Sequence, residues 1–243
     1  MRQDILFISD LHLSAARPET TRCFLSFAQG RARGARQLYI LGDLFDAYIG
    51  DDDNSTPNRQ VKHALRSLAE SGTELFFQHG NRDFLVGERF CRETGANLLE
   101  DYALVQVGGE TVLVTHGDLL CTDDLPYQSA RVRVRSAQWK RNALSKPLLV
   151  RQLYARWYRV KSGLDKRGKT LEIMDANPDT VTEVMRRFGV KTLVHGHTHR
   201  PAIHELTVDG AAATRRVLAE WHGDGSALCW SPQSGWTAEH FSA

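Results

Sequence analysis

Apolar positions along this chain come in short bursts whose spacing alternates between two periods. Residues 5–9 are an apolar run of strand length, residues 18–33 repeat apolar side chains at helical spacing behind Pro18 and Glu19, and residues 37–41 are a second buried run. This predicts a β-α-β opening. Residues 57–69 again have helical spacing, 74–78 predict a strand, 86–94 a short helix, and 103–107 with 111–115 a hairpin about Gly108-Gly109. Residues 125–142 predict one helix. Leu149, Leu153, Trp157, Val160 and Leu164 then recur every three or four residues, the apolar stripe of an amphipathic helix. Asn177-Pro178-Asp179 is a helix start, with Asn as cap and Pro at the first position, leading to a helix that ends near Phe188. Residues 191–194 predict another buried strand, and 202–207, 216–220 and 227–230 predict antiparallel strands that close the chain. Strands joined first through helices and later by short turns predict an α/β layered fold, mixed β-sheets packed with helices. The two helices between residues 125 and 169 are an inserted helical cap, and residues 1–124 and 170–243 are the body.

Composition adds little until it is resolved by region. The chain has 243 residues, 42% hydrophobic and 25% charged, the profile of an ordinary globular protein rather than a fibrous or disordered one. Apolar runs such as Pro147-Leu148-Leu149-Val150 fall far short of the roughly 18 residues of a membrane span. The N-terminus lacks the layout of a signal peptide, which predicts a cytoplasmic protein. Cys23, Cys91, Cys121 and Cys229 are scattered without a C-x-x-C pair and are expected to be packing residues, not a disulfide framework or zinc site. The net charge of +2 conceals an asymmetry: residues 131–169 hold thirteen lysines and arginines against the single acid Asp165. An acidic body carrying one basic module fits a body that gathers cations and a module that meets an anionic partner, or else a solvated helical face.

Five clusters each begin at the C-terminal end of an apolar run: Ser9-Asp10-Leu11-His12, Leu41-Gly42-Asp43, Gly80-Asn81-Arg82-Asp83, Thr115-His116-Gly117-Asp118 and His195-Gly196-His197. Loops at the carboxyl ends of strands in an open α/β sheet converge on one crevice, so groups far apart in sequence meet there. The i, i+2 pairs Asp10/His12 and His195/His197 point their side chains the same way from extended chain. Two carboxylates, four imidazoles and an amide oxygen exceed the needs of one tetrahedral ion and suit two ions of higher coordination, the usual clamp for phosphoryl chemistry. His63, His204, His222 and His240 match no motif and are expected to be structural or exposed. His79 and His199 flank the clusters, either supporting the ligands from outside or packing in the core.

The order D-x-H, G-D, G-N-x-x, H-G, H-G-H resembles the calcineurin-like metallophosphoesterases. The longer strings Ile8-Ser9-Asp10-Leu11-His12-Leu13-Ser14, Leu41-Gly42-Asp43-Leu44-Phe45-Asp46, His79-Gly80-Asn81-Arg82-Asp83-Phe84-Leu85, Thr115-His116-Gly117-Asp118 with Cys121-Thr122-Asp123-Asp124, and His195-Gly196-His197-Thr198-His199-Arg200-Pro201 resemble one branch of it. That branch is the UDP-2,3-diacylglucosamine pyrophosphohydrolases of lipid A biosynthesis. The resemblance covers residues 5–201, and Gly80-Asn81-Arg82-Asp83 with Asp123-Asp124 and Tyr127-Gln128 separates the branch from the wider family.

The resemblance implies a layered metallophosphoesterase fold and two manganese ions, one held by Asp10, His12, Asp43 and His197, the other by the bridging Asp43 with Asn81, His116 and His195. Ligand chemistry alone admits iron or zinc as well. It implies catalytic roles for Asp43, Asn81, Arg82 and His116, and substrate contacts from Asn81, Arg82, Asp124, Ser162, Lys166, Lys169 and His195. The implied reaction is attack of metal-activated water on the α-phosphorus of UDP-2,3-diacylglucosamine, giving UMP and 2,3-diacylglucosamine 1-phosphate. Many family members carry His after the Asn to protonate a poor leaving group; this chain has Arg82. A phosphate monoester with its second pKa near 6 leaves without a proton, and a guanidinium can neutralise its charge in bidentate fashion, so Arg82 suits a pyrophosphate bond. Its other reading is a partner of Asp83 or Asp118.

With an acylated sugar nucleotide as substrate, the cap acquires a purpose: Trp139, Leu149, Leu153, Trp157 and Tyr158 as an acyl slot, and Arg131, Arg133, Arg135, Arg151 and Arg156 for the anionic membrane surface. The expectation is a monomeric, peripheral enzyme on the cytoplasmic face of the inner membrane. The alternatives are a metallophosphoesterase for a soluble nucleotide diphosphate, a nucleic-acid phosphodiesterase, and a metal-free scaffold. Nucleic acid is disfavoured as a partner because Trp139 and Trp157 fall among aliphatic residues rather than along a basic stacking groove.

Overall fold

The computed structural model describes residues 3–166 and 175–242, the residues from 159 to 166 by their backbone alone. Lys169 lies outside the described residues, as do the side chains of Ser162 and Lys166. The opening unit is β1 (Ile5–Ile8), α1 (Pro18–Gln29) and β2 (Gln37–Ile40), followed by α2 (Thr56–Glu70), β3 (Glu74–Gln78), α3 (Glu88–Thr94), β4 (Ala96–Leu99), β5 (Ala103–Val107) and β6 (Glu110–Thr115). Three helices come next, α4 (Leu125–Arg135), α5 (Ala137–Leu144) and α6 (Leu148–Lys166). The chain closes with α7 (Pro178–Phe188), β7 (Thr192–His195), β8 (Ala202–Val208), β9 (Ala211–Val217), β10 (Gly225–Ser231) and β11 (Gly235–Phe241).

Strands form two mixed sheets, ordered β11-β10-β1-β2-β3-β4 and β5-β6-β7-β9-β8. β1 to β4 run parallel, as do β6, β7 and β9, while hairpin partners form the antiparallel flanks. The central strands are apolar on both faces because both faces are covered. Within β1, Leu6 and Ile8 pack with Phe24, Phe27, Val61, Leu65 and Phe90 toward α1 to α3, while Ile5 and Phe7 join Tyr39, Val105, Val112, Val114 and Val194 between the sheets. On the outer face of the second sheet, Leu113 and Leu193 meet Val181 and Met185 of α7. The layers are therefore helix, sheet, sheet, helix. The four cysteines are free, three of them buried, as packing residues should be.

Several boundaries differ from the sequence expectation. Residues 18–33 are not one helix: α1 ends at Gln29, and Gly30 leads into a 3-10 turn over Arg31–Gly34. The helix expected over 125–142 breaks at Ser136, whose extended ψ of 141° stops α4 and whose Oγ accepts the Trp139 N–H at 3.3 Å to cap α5. The strand expected at 216–220 lies earlier, at Ala211–Val217, because Asp209 and Gly210 both turn into positive φ and fix a hairpin with β8. Strands β4 and β11 carried no clear signal; both are sheet edges with exposed positions, so neither shows a full apolar alternation.

Candidate metal centre

All five clusters leave the carboxyl ends of β1, β2, β3, β6 and β7 on the same side of the two sheets. The chain must turn sharply there, so the Asp10/His12 and His195/His197 pairs do not converge from extended chain as expected: Asp10, His12, Asp43, His197 and His199 take φ of 57°, 51°, 51°, 69° and 56°. Left-handed backbone at non-glycine residues costs roughly 1–2 kcal/mol each, and its concentration at one point marks a site that the rest of the fold holds in place. Gly42 shows how close the turns pack: at φ 84°, an added Cβ would lie 2.6 Å from the Gly80 backbone and 2.7 Å from His116 Nδ1. A Cβ at Gly80 would lie 2.2 Å from Asp43 Oδ1. Only glycine allows these two strand ends to meet.

Asp43 is buried between two imidazoles, with Oδ2 3.9 Å from His12 Nδ1 and Oδ1 3.8 Å from His116 Nε2. The Arg82 backbone N–H donates to its Oδ1 at 2.8 Å. His116 Nε2 lies 3.0 Å from Asn81 Oδ1 and 3.2 Å from His197 Nδ1. Ligand atoms of Asp10, Asp43 and His116 fall within 4.8 Å of one another, as do those of Asp10, His12 and His199. Asp10 Oδ2 accepts from Ser9 Oγ at 2.7 Å and from the His197 N–H at 2.8 Å. His116 Nδ1 donates to the Leu41 carbonyl at 2.9 Å and His195 Nδ1 to that of Gly196 at 2.8 Å, which turns the Nε2 atoms inward, the usual way a ligating histidine is aimed. The structure thus joins Asp10, His12, Asp43, Asn81, His116 and His197 through direct contacts, with His195 beside them.

A cation fits this arrangement. His12 Nδ1 and His195 Nε2 are buried without a hydrogen-bond partner, which is costly unless something else binds them. Burial pushes His12 and His195 down to about 4 and His197 to about 3, leaving three neutral imidazoles at pH 7, the ligating form. Burial, with the charge of Asp10 beside it, pushes Asp43 up to about 6. Burial would raise Asp10 too, but its hydrogen bond to His199 and the charges of His116 and His199 hold it far below the carboxylate range. His116 is raised because Asp43 and Asp10 outweigh its burial. Two carboxylates and three imidazoles buried together, with the half-buried His197 beside them, are oxygen and nitrogen donors for a dinuclear divalent site.

Three acids support the site in ways the sequence does not reveal: Asp83 and Asp118 stand in the clusters without these roles, and Glu220 stands outside them. Asp83 accepts four backbone N–H groups, from Leu44 and Gly80 at 2.8 Å and Asp43 and Phe45 at 3.3 and 3.4 Å, and so fastens two ligand-bearing turns together. Glu220 lies 2.6 Å from His199 Nδ1, and His199 Nε2 lies 3.3 Å from Asp10 Oδ1, a relay that ends on a site carboxylate. Asp118 is engaged by Arg131 and Tyr127. Arg82 therefore does not pair with Asp83 or Asp118. Its guanidinium forms no ion pair among the described residues, yet its charge reaches both His12 and Asp43.

Of the substrate candidates, Asp124 caps α4 by accepting the Tyr127 N–H at 3.1 Å, and Trp139 packs on Phe84 at 5.8 Å. Leu149, Leu153, Trp157 and Tyr158 are exposed along α6. The expected membrane face needs correction. Arg131 and Arg151 are buried, Arg131 paired with Asp118 and Asp101 and Arg151 with Asp52 and the Ile49 carbonyl, and Arg135 reaches the Gly80 carbonyl. Only Arg133 and Arg156 of the five face solvent. All three turn inward: Arg131 answers the buried carboxylate of Asp118, while Arg135 and Arg151 donate to the Gly80 and Ile49 carbonyls and the remaining acid partners are the half-buried Asp101 and the exposed Asp52.

The His199 relay sets an alkaline limit on metal-stripped protein. Burial opposes, but the hydrogen bonds and charges of Asp10 and Glu220 raise His199 to about 9, above the ordinary 6.5. Its stabilisation is complete below pH 6.5 and is lost as pH rises through 9, on the order of 1–3 kcal/mol. Urea unfolding in chelator from pH 7.5 to 9.5 is expected to show this decline, and His199→Gln should flatten it. A slope unchanged in the variant would remove His199 from the account.

A model of the calcineurin-like phosphoesterases matches residues 4–201. The UDP-2,3-diacylglucosamine hydrolase of Pseudomonas entomophila (strain L48) is 50% identical over 226 residues, covering 92% of this chain and 93% of that protein. Its namesake from Pseudomonas aeruginosa (strain UCBPP-PA14) is 49% identical over 230 residues with the same coverage. That of Pseudomonas fluorescens (strain SBW25) is 50% identical over 224 residues, covering 92% of this chain and 90% of that protein.

Proposed function

The chain belongs to the calcineurin-like phosphoesterase family, and from that membership, its relatives and its site we infer that it hydrolyses the pyrophosphate bond of UDP-2,3-diacylglucosamine in lipid A biosynthesis. The observation that carries the chemistry is Asp43, buried midway between His12 and His116 with Asn81 and His197 beside them. Asp10, His12, Asp43 and His197 would hold one divalent ion, and Asp43, Asn81, His116 and His195 a second, with manganese as the metal. Bound ions supply positive charge that offsets what gathers on the phosphoryl oxygens.

The protein's own groups do the rest. Water attacks the α-phosphorus and the α–β bridging oxygen departs with the sugar phosphate, so the products are UMP and 2,3-diacylglucosamine 1-phosphate. The departing monoester is a stable anion near neutral pH and needs no general acid, in keeping with Arg82 at the place where a proton donor would otherwise stand. The Arg82 backbone N–H fixes Asp43, and in this reading its guanidinium neutralises the leaving phosphate. Asp124, His195 and the cap positions Ser162, Lys166 and Lys169 bind the glucosamine phosphate in this reading.

No helix among the described residues is long and apolar enough to cross a membrane. The lipid is met instead by α6, where Leu149, Leu153 and Trp157 are 66%, 60% and 56% exposed. A row of large apolar side chains this open needs a hydrophobic partner, and acyl chains supply one. Arg133 and Arg156 then face the anionic cytoplasmic side of the inner membrane, and the chain acts as a peripheral monomer. Leu153→Asp should lower turnover of the diacyl substrate on the order of tenfold, from the loss of one exposed aliphatic side chain that the acyl chains would cover, with folding stability changed by no more than about 0.5 kcal/mol. The check is the rate on diacylated against deacylated UDP-glucosamine. Equal turnover of both by the parent protein would replace this reading with a phosphoesterase for a soluble nucleotide diphosphate.

A further inference from the structure

Helix α4 presents Tyr127, Gln128, Arg131 and Arg135 on one face, at the spacing that stacks side chains along a helix. Every one of them is bound to a loop that carries candidate ligands. Tyr127 Oη donates to Asp118 Oδ2 at 2.6 Å, Arg131 Nε to the same oxygen at 2.7 Å, and Gln128 Nε2 to the Asp118 carbonyl at 2.8 Å. Asp118 follows His116 by two residues and is 1% exposed. Arg135 reaches further: its Nη2 donates to the Gly80 carbonyl at 2.9 Å, lies 3.8 Å from Asp118 Oδ2, and its guanidinium carbon sits 5.4 Å from the centre of the Phe84 ring.

The Gly80 carbonyl belongs to the peptide plane that also holds the Asn81 nitrogen, so fixing that oxygen fixes the plane from which the Asn81 side chain leaves. Gly80 is held from its other side as well, its N–H donating to Asp83 Oδ1 at 2.8 Å. One guanidinium thus touches the base of the Asn81 turn and the carboxylate beside the His116 turn, and the Asn81 amide oxygen and His116 Nε2 meet 3.0 Å apart. We propose that Arg135, backed by Arg131, is a positioning residue for the second metal: through the Gly80 carbonyl and Asp118 it sets the separation of Asn81 and His116. This rests on the reading that Asn81 and His116 hold that ion. It also assigns this face of α4 to the metal centre and leaves only Arg133, on the exposed side of the helix, for the membrane.

The test is titration of metal-stripped full-length protein with manganese alone, followed by calorimetry and by electron paramagnetic resonance of the free ion, for the parent, Arg135→Met and Asn81→Ala. Arg135→Met should weaken the second ion roughly 10- to 100-fold and leave the first unchanged, the range for groups that orient a ligand from outside. In steady state it should lower kcat with KM for the lipid unaltered. Both ions bound to Arg135→Met at parental affinity would overturn the proposal. Both ions bound to Asn81→Ala at parental affinity would overturn the ligand reading and the proposal with it. Should the methionine variant fail to fold, Arg135→Lys keeps the charge without the planar fork; selective weakening of the second ion there supports the proposal, and unchanged binding overturns it.

Discussion

Asp43→Asn is expected to lower activity by at least about a thousandfold while leaving the metal-stripped protein as stable as its parent or more so. Loss of a preorganised electrostatic group at a phosphoryl site typically costs two to three orders of magnitude, and Asp43 serves both proposed ions. Asparagine keeps the oxygen that accepts the Arg82 N–H, so the backbone turn survives. Stability should move the other way because burial, with Asp10 alongside, raises Asp43 to about 6. A carboxyl with a raised folded pKa stabilises the fold while protonated; above pH 6 the folded state carries a buried charge that the unfolded chain keeps in water. Without metal the neutral amide removes that cost. Activity at saturating manganese and urea unfolding in chelator at pH 7.5 measure the two halves. Full activity, or a marked loss of metal-free stability, would contradict the assignment.

Arg131→Met should have the largest effect on stability. Arg131 and Asp118 are both buried, joined at 2.7 Å, and removing the guanidinium leaves a buried carboxylate with its closest charge partner gone and only Tyr127, Arg135 and His116 to offset it, which costs about 3 kcal/mol, the low end for a broken buried pair. For a chain of this size that is a fall in melting temperature of roughly 10 °C. The burial of Asp118 is offset first by the charge of His116 and next by that of Arg131, which together hold its carboxyl far below the ordinary range, so losing the guanidinium bears directly on the charged form. Adding Asp118→Asn should recover part of the loss, since the amide oxygen can still accept from Tyr127 Oη. A double-mutant cycle by thermal and denaturant unfolding reads the coupling; a single-variant loss below about 1 kcal/mol would show that the pair contributes little.

The metal-site clusters were legible because each pairs a strand end with a short local string, and strand ends need only local periodicity to be seen. The apolar stripe of α6 was legible for the same reason. The arginine partners were not: Arg151 and Asp52 are 99 residues apart, Arg131 pairs with Asp101 from another element, and nothing local distinguishes a buried arginine from a surface one. Charge counting therefore reported a basic module where the fold turns three of its arginines inward, Arg131 onto the buried Asp118 and Arg135 and Arg151 onto backbone carbonyls. Asp83 was hidden differently. Its role is to accept backbone N–H groups from a turn about 40 residues away, and such bonds leave no trace in side-chain pattern. Glu220, just past β9, was likewise joined to the site only by the closing of the second sheet. Edge strands β4 and β11 lacked the apolar alternation that revealed the central strands.

The most direct measurement is hydrolysis of UDP-2,3-diacylglucosamine in oxygen-18 water by metal-stripped protein, with and without added manganese. Manganese-dependent release of UMP carrying one heavy oxygen, and of unlabelled 2,3-diacylglucosamine 1-phosphate, is the result this account predicts. Label in the sugar phosphate would place attack on the other phosphorus. No release with any divalent ion, alongside turnover of a soluble nucleotide diphosphate, would overturn the lipid substrate.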